Sequence, residues 1–152
     1  MSIQSILDHK GADVVTIRPD ASIKSAADVM RHAKIAALVL KDDDVLVGLV
    51  SEREIIAAIS ELGQAALFLT VRSIARSVIA VSPRDSLKRA MSLMTRHRIR
   101  HLPVIDDGIL VGLVSIGDIV KHRLEDLEIE SNVLRDTYFA RSGEGMSAWR
   151  ST

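Results

Sequence analysis

The chain has 152 residues, 47% of them apolar and 26% charged, enough to bury a core yet too short for a catalytic domain beside anything else. Twenty basic and twenty acidic side chains cancel, so no global field draws the protein to nucleic acid or an anionic membrane, and any anion site has to be local. The absence of cysteine excludes disulfides, thiolate catalysis and cysteine-bound zinc. With no leader-like N-terminus and no apolar run near the roughly 20 residues that span a bilayer, the expected location is the cytoplasm.

In chain order, Ser2 to Asp8 reads as a short lead-in helix and Val14 to Ile17 as a β-branched strand stopped by Pro19. Ile23, Ala26, Ala27 and Met30 then recur with the spacing of one buried helical face. Two strands follow, Ala37 to Lys41 and Val45 to Val50, joined by turn residues Asp42 to Asp44, and a second helix opens at Ser51. Gly63 to Thr70 is a link apolar enough to pack, and Val71 to Ala75 reads as another lead-in helix.

The same order then recurs. A shift of 64 residues gives 17 identities in the 46 positions from Val14 to Ile59, where about three are expected by chance. Val78 to Val81 is the strand, and Leu87, Ala90, Met91 and Met94 form the helical face. His101 to Ile105 and Ile109 to Val114 form the hairpin around Asp106 to Gly108, and Ser115 opens the final helix. One such unit has too little sheet to cover its helices, so the two copies should pack as a single pseudo-twofold body, neither folding alone.

The final helix should outrun its counterpart. Val120, Leu124, Leu127, Ser131, Leu134 and Tyr138 alternate spacings of four and three, which suits either docking on the chain's own body or a self-association seam. The polar stretch 141–152 reads as a frayed tail.

The strings VGLVSERE at 47–54, RHLPVIDDG at 100–108 and VGLVSIGDI at 111–119 resemble the signature of cystathionine-β-synthase (CBS) domains. The resemblance spans about Ser2 to Leu127. It implies a mixed α/β fold of two βαββα repeats: 1–62 as repeat 1 with its lead-in, 63–77 as linker and lead-in, 78–123 as repeat 2, and 124–140 as a helical extension. It also implies a regulatory Bateman module, not an enzyme, that binds AMP, ADP, ATP or NAD(H) between the repeats. Such modules commonly pair into four-repeat discs, so the expected partners are a second copy and an unidentified effector protein.

The family motif carries a Ser or Thr with an Asp three residues on, which falls on Ser115 and Asp118 with Gly117 between them. Ser115 ends a strand and opens a helix, where amides and helix dipole suit a phosphate, and the Asp118 carboxylate can accept two ribose hydroxyls. In the first copy the same places hold Ser51 and Glu54, with Arg53 between. Both pairs fit a helix-capping role as well as ligand contact, and the longer Glu54 implies a weaker, altered or empty first site.

Arg96, His97, Arg98, Arg100 and His101 form the one dense basic cluster; Arg100 and His101 are the phosphate candidates, with Pro103 beyond them. Lys10 and Gly11 resemble the lead-in of small two-repeat members, where that segment borders the cleft, although an ordinary turn with an exposed lysine fits them almost as well; Thr16 and Arg53 are further candidates. Zinc at His97 and His101 fails because Pro103 and the strand pattern break the helix that would align them. Scarce aromatics and zero net charge count against nucleic acid, while a ligand-free dimerisation module differs from a sensor only in its cleft.

Overall fold

A computed structural model describes residues 1–146, with side chains to Arg141. Within residues 1–116 the two copies repeat one plan. Copy one comprises α1 (Ile3–Lys10), β1 (Thr16–Ile17), α2 (Ile23–Ala33), β2 (Ala37–Asp42), β3 (Val45–Ser51) and α3 (Glu52–Leu62). Two 3-10 turns, Gly63–Phe68 and Val71–Ser73, lead to α4 (Leu87–His97), β4 (His101–Asp106) and β5 (Ile109–Ser115).

β1 runs parallel to β2, which pairs antiparallel with β3, and β4 pairs antiparallel with β5. Both hairpins shift register at matching places, after Leu40 and after Val104, so the duplication preserves even the bulge. The turns differ: Asp107 and Gly108 both take positive φ, whereas in copy one Asp43 does and its neighbour is Asp44 instead of glycine.

The edge strands are shorter than their sequences suggest. Val14 to Ile17 contributes only Thr16–Ile17, and Val78 to Val81 contracts to one bridge. There the Val81 N–H donates to the Pro103 carbonyl at 3.0 Å and the Val81 carbonyl accepts from Ile105 N–H at 2.8 Å. The second lead-in is a 3-10 turn, not an α-helix.

Ser22 and Ser86 cap α2 and α4 alike, each hydroxyl accepting the amide three residues on. Each helix ends on a non-glycine left-handed residue, Lys34 or Arg98, after which the Ile35 or Ile99 amide donates back to Met30 or Met94. The buried faces are Ile23, Ala26 and Met30 in α2 and Leu87, Ala90 and Met94 in α4. Ala27 is half-buried and Met91 is 47% exposed, because both stand at the margin of that stripe. In the link, Ala66 is buried and Phe68 is 84% exposed, so it packs only in part.

The lead-ins are exchanged. The Ile3 and Gln4 amides donate to the carbonyls of Asp85 and Pro83, and Leu7 lies against Gly112, all in copy two. Conversely, Ala66 and Val71 join the copy-one core of Ile23, Met30, Leu38, Leu40 and Val50, and the Val71 amide donates to Ala21. Between the hairpins, Val39 and Leu49 pack with Leu110 and Leu113. These contacts join the copies into one body, as their small sheets require.

The final helix, α5 (Ile116–Met146), has 31 residues against 11 in α3. Beyond Ile116 it forms a unit of its own. It continues through 141–146, where a frayed tail was expected; 147–152 lie outside the described residues.

Candidate functional site

A cleft of about 910 Å³ opens in the first body where the start of α3 faces the end of α4 and the start of β4. Its floor is apolar, from Ala36, Ile56, Ala57, Met94, Ile99 and Ile116; four guanidinium groups, Arg53, Arg76, Arg98 and Arg100, line it together with His101. Glu52 is the one carboxylate in that lining. The volume lies within the roughly 300–1,000 Å³ usual for small-molecule sites, and an apolar floor with a few convergent polar groups is their usual build.

The arginines reach the cleft by different routes. Arg53 extends from the first turn of α3 and its Nη1 donates to the Arg98 carbonyl at 3.0 Å, tying copy one to copy two. Arg98 occupies the left-handed cap of α4, which turns the chain so that Arg100 and His101 follow at the mouth of β4. Arg76 arrives from the second lead-in, held by reciprocal backbone bonds to Leu49 of 3.3 and 3.1 Å. Its Nε lies 3.4 Å from Glu54 Oε1, with the two side chains 22% and 15% exposed. Burial lowers the Arg76 pKa, the nearby Glu54 charge opposes that shift, and Arg53 adds to it.

Of the residues singled out in the sequence, Ser51, Arg53, Arg100 and His101 meet in this cleft. Glu54 stands behind them as a structural group. Its Oε2 accepts the Ser51 amide at 2.8 Å and also the Ser51 hydroxyl, closing a capping box, while Oε1 faces Arg76. The capping reading therefore holds for Ser51 and Glu54, and the carboxylate serves the fold through both oxygens. Glu54→Ala should cost about 2 kcal/mol in a denaturant titration, because it removes a cap and leaves Arg76 without its counter-charge.

The helix starts are also less open than the strand-to-helix motif suggests. The Glu52 amide donates to Ala36 O at 3.0 Å and the Ile116 amide to Arg100 O at 2.8 Å, so the first helical N–H of α3 and of α5 is spent on a neighbouring strand.

The remaining candidates are not among the lining residues. Ser115 ends β5 opposite His101 in the hairpin register, and Gly117 and Asp118 fall in the first turn of α5, beyond the first body. Lys10 is turned to the sheet, its Nζ donating to Leu113 O at 2.8 Å. Gly11 closes α1 at φ +89°, its amide donating to Leu7 O. Thr16 is an exposed residue of β1, and Pro103 is buried in β4 opposite Leu113. None of these four lines the cleft.

Arg76 was missed because it precedes the repeat's first strand. The offset of 64 places it on Ala12, next to Gly11, so applying the lead-in argument to both copies would have found it.

Two copies of one unit with a basic cleft where they meet define a tandem-repeat module. The chain belongs to the CBS domain family, whose model matches residues 7–61 and 71–125. A solved CBS-domain containing protein from Agrobacterium tumefaciens is 39% identical over 80% of this chain and 92% of its own, with a TM-score of 0.79. The CBS domain-containing protein YhcV of Bacillus subtilis is 27% identical over 82% of this chain and 89% of its own. The CBS domain pair of protein MJ0100, solved with 5′-methylthioadenosine and S-adenosyl-L-methionine, shares the fold at TM-score 0.73 and 24% identity, covering 83% of this chain and 98% of its own.

Proposed function

We propose that the cleft binds a phosphorylated adenine nucleotide and that the chain is a regulatory, non-catalytic sensor acting in the cytoplasm on a separate effector protein. The observation that carries this reading is the four-arginine lining over an apolar floor. The floor suits a purine ring, and guanidinium groups suit phosphate oxygens, to which they can donate in pairs. Because Arg53 comes from copy one and Arg98 and Arg100 from copy two, a bound phosphate joins the copies, and its binding free energy favours the joined arrangement over any looser one.

The charge also separates ligands. The fold accommodates the cationic S-adenosylmethionine in MJ0100. Here four guanidinium groups against Glu52 and Glu54 disfavour a sulfonium and favour AMP, ADP, ATP or NAD(H). Ser115, Gly117 and Asp118 of the copy-two motif are outside the lining of this cleft and form a separate proposal, as phosphate and ribose contacts with Asp118 accepting the ribose hydroxyls.

Thermal-shift and calorimetric titrations with AMP, ADP, ATP, NAD, NADH, S-adenosylmethionine and adenosine test the reading, since a ligand of the native state raises its stability with occupancy. Arg53→Ala and Arg100→Ala should each weaken the phosphorylated ligand about 10- to 100-fold, the worth of a charge-assisted hydrogen bond, and leave adenosine unchanged. Equal weakening of both would remove the phosphate role. If no compound raises the melting temperature, the ligand-free dimerisation module becomes the account of the chain.

A further inference from the structure

From Leu127 to Arg141 every residue of α5 is exposed. A lone helical stretch of that length is marginal in water even for favourable sequences. The stretch also exposes large apolar groups, Leu127, Leu134 and Tyr138 among them. Leu127, Leu134 and Tyr138 share one narrow face with Val120 and Leu124, since alternate steps of four and three keep returning to the same side of a helix, while Ile129, Val133 and Phe139 lie off it. In heptad terms Leu124, Ser131 and Tyr138 take a positions, and Val120, Leu127 and Leu134 take d positions.

The charges flanking that face identify its occupant. The g positions hold Arg123 and Glu130, and the e positions hold Lys121, Glu128 and Arg135. If two copies of the helix lie parallel and in register, each g residue meets the e residue five places on in its partner. Arg123 then faces the partner's Glu128, and Glu130 faces the partner's Arg135, so all four pairs of the dimer are opposite in sign. The antiparallel pairing that overlaps the same seam sets e against e and g against g. Glu128 would then meet its own copy, Glu130 its own copy, and Lys121 would meet Arg135, all like-charged.

We propose that α5 pairs with α5 of a second copy of this chain as a parallel, in-register coiled coil over residues 120–138. Ser131, polar and small at a central a position, weakens the seam, which suits a reversible association.

Because the chain has no cysteine, single introduced thiols report the pairing in the full-length protein. Leu134→Cys, at d, should oxidise to a disulfide-linked dimer, whereas Ile129→Cys, on the opposite face, should stay monomeric on a non-reducing gel. Equal linkage of both, or of neither, would overturn the proposal. Reversing one charge, Glu128→Arg, should slow the Leu134→Cys linkage and weaken association about tenfold, and adding Arg123→Glu should restore it. Failure of the second change to restore linkage would overturn the parallel register. In sedimentation equilibrium Ser131→Ile should tighten association by at least about tenfold, and an unchanged constant would show that the seam is not the contact.

Discussion

A chain lacking residues 1–10 should fail to fold at 25 °C. The segment carries Ile3, Ile6 and Leu7, all buried, and it packs on β5 of the other copy, so its removal uncovers part of that sheet. Truncating one such side chain to alanine costs about 2–5 kcal/mol, and losing three exceeds roughly 6 kcal/mol. That is comparable with the whole stability of a domain, about 5–15 kcal/mol. Ile3→Ala alone should therefore lower the urea midpoint clearly without changing the slope of the transition. A ten-residue deletion that melts like the intact chain would show that α1 is peripheral.

Gly48→Val should both destabilise the protein and damage its cleft. A β-carbon at Gly48 would stand 3.2 Å from Ala75 Cβ and 3.2 Å from the Arg76 carbonyl oxygen, and valine adds two methyl groups beyond it. One neighbour is backbone and cannot rotate away, so the strain falls on the bridge between Leu49 and Arg76. The expected cost is about 3 kcal/mol, the upper end for overpacking. Since that bridge sets Arg76 in the cleft, the same substitution should weaken phosphorylated ligands while Gly48→Ala has a smaller effect on both. At the matching place, the nearest atoms to a β-carbon on Gly112 all belong to the buried Leu7 side chain, at 2.6 to 3.5 Å, so Gly112→Ala should already displace Leu7 and Gly112→Val should cost more. Equal affinity in Gly48→Val and the parent chain would disconnect the bridge from the site.

The glycine of the doubled VGLVS string shows what the sequence does and does not reveal. Its repetition at an offset of 64 located both hairpins and both helices that follow them, because alternation and turn chemistry are local properties. Why glycine is needed there is not local: it admits a lead-in from the other copy, and no periodicity records which copy a lead-in joins. The site followed the same division. Arg53 was legible beside a strand-to-helix junction, and Arg100 and His101 as basic residues leading into a strand. The Ser51–Glu54 cap was legible too, being local, but the pairing of Glu54 with Arg76 depends on a contact between residues 22 positions apart. Met91 and Phe68, apolar but exposed, escaped because hydrophobic pattern marks a stripe and not its edges.

Exchanged lead-ins also set the order in which the chain can mature on the ribosome. The backbone bond from Ile3 to Asp85 spans 82 positions. At about 5–20 residues per second, the N-terminal helix waits roughly 4–16 s for Asp85 to be made, and longer for β5. During that interval the apolar face of α1 lacks its cover from β5, and Val39 and Leu49 of the first hairpin lack theirs from Leu110 and Leu113. Folding of the first body is then completed only once the second copy has been made.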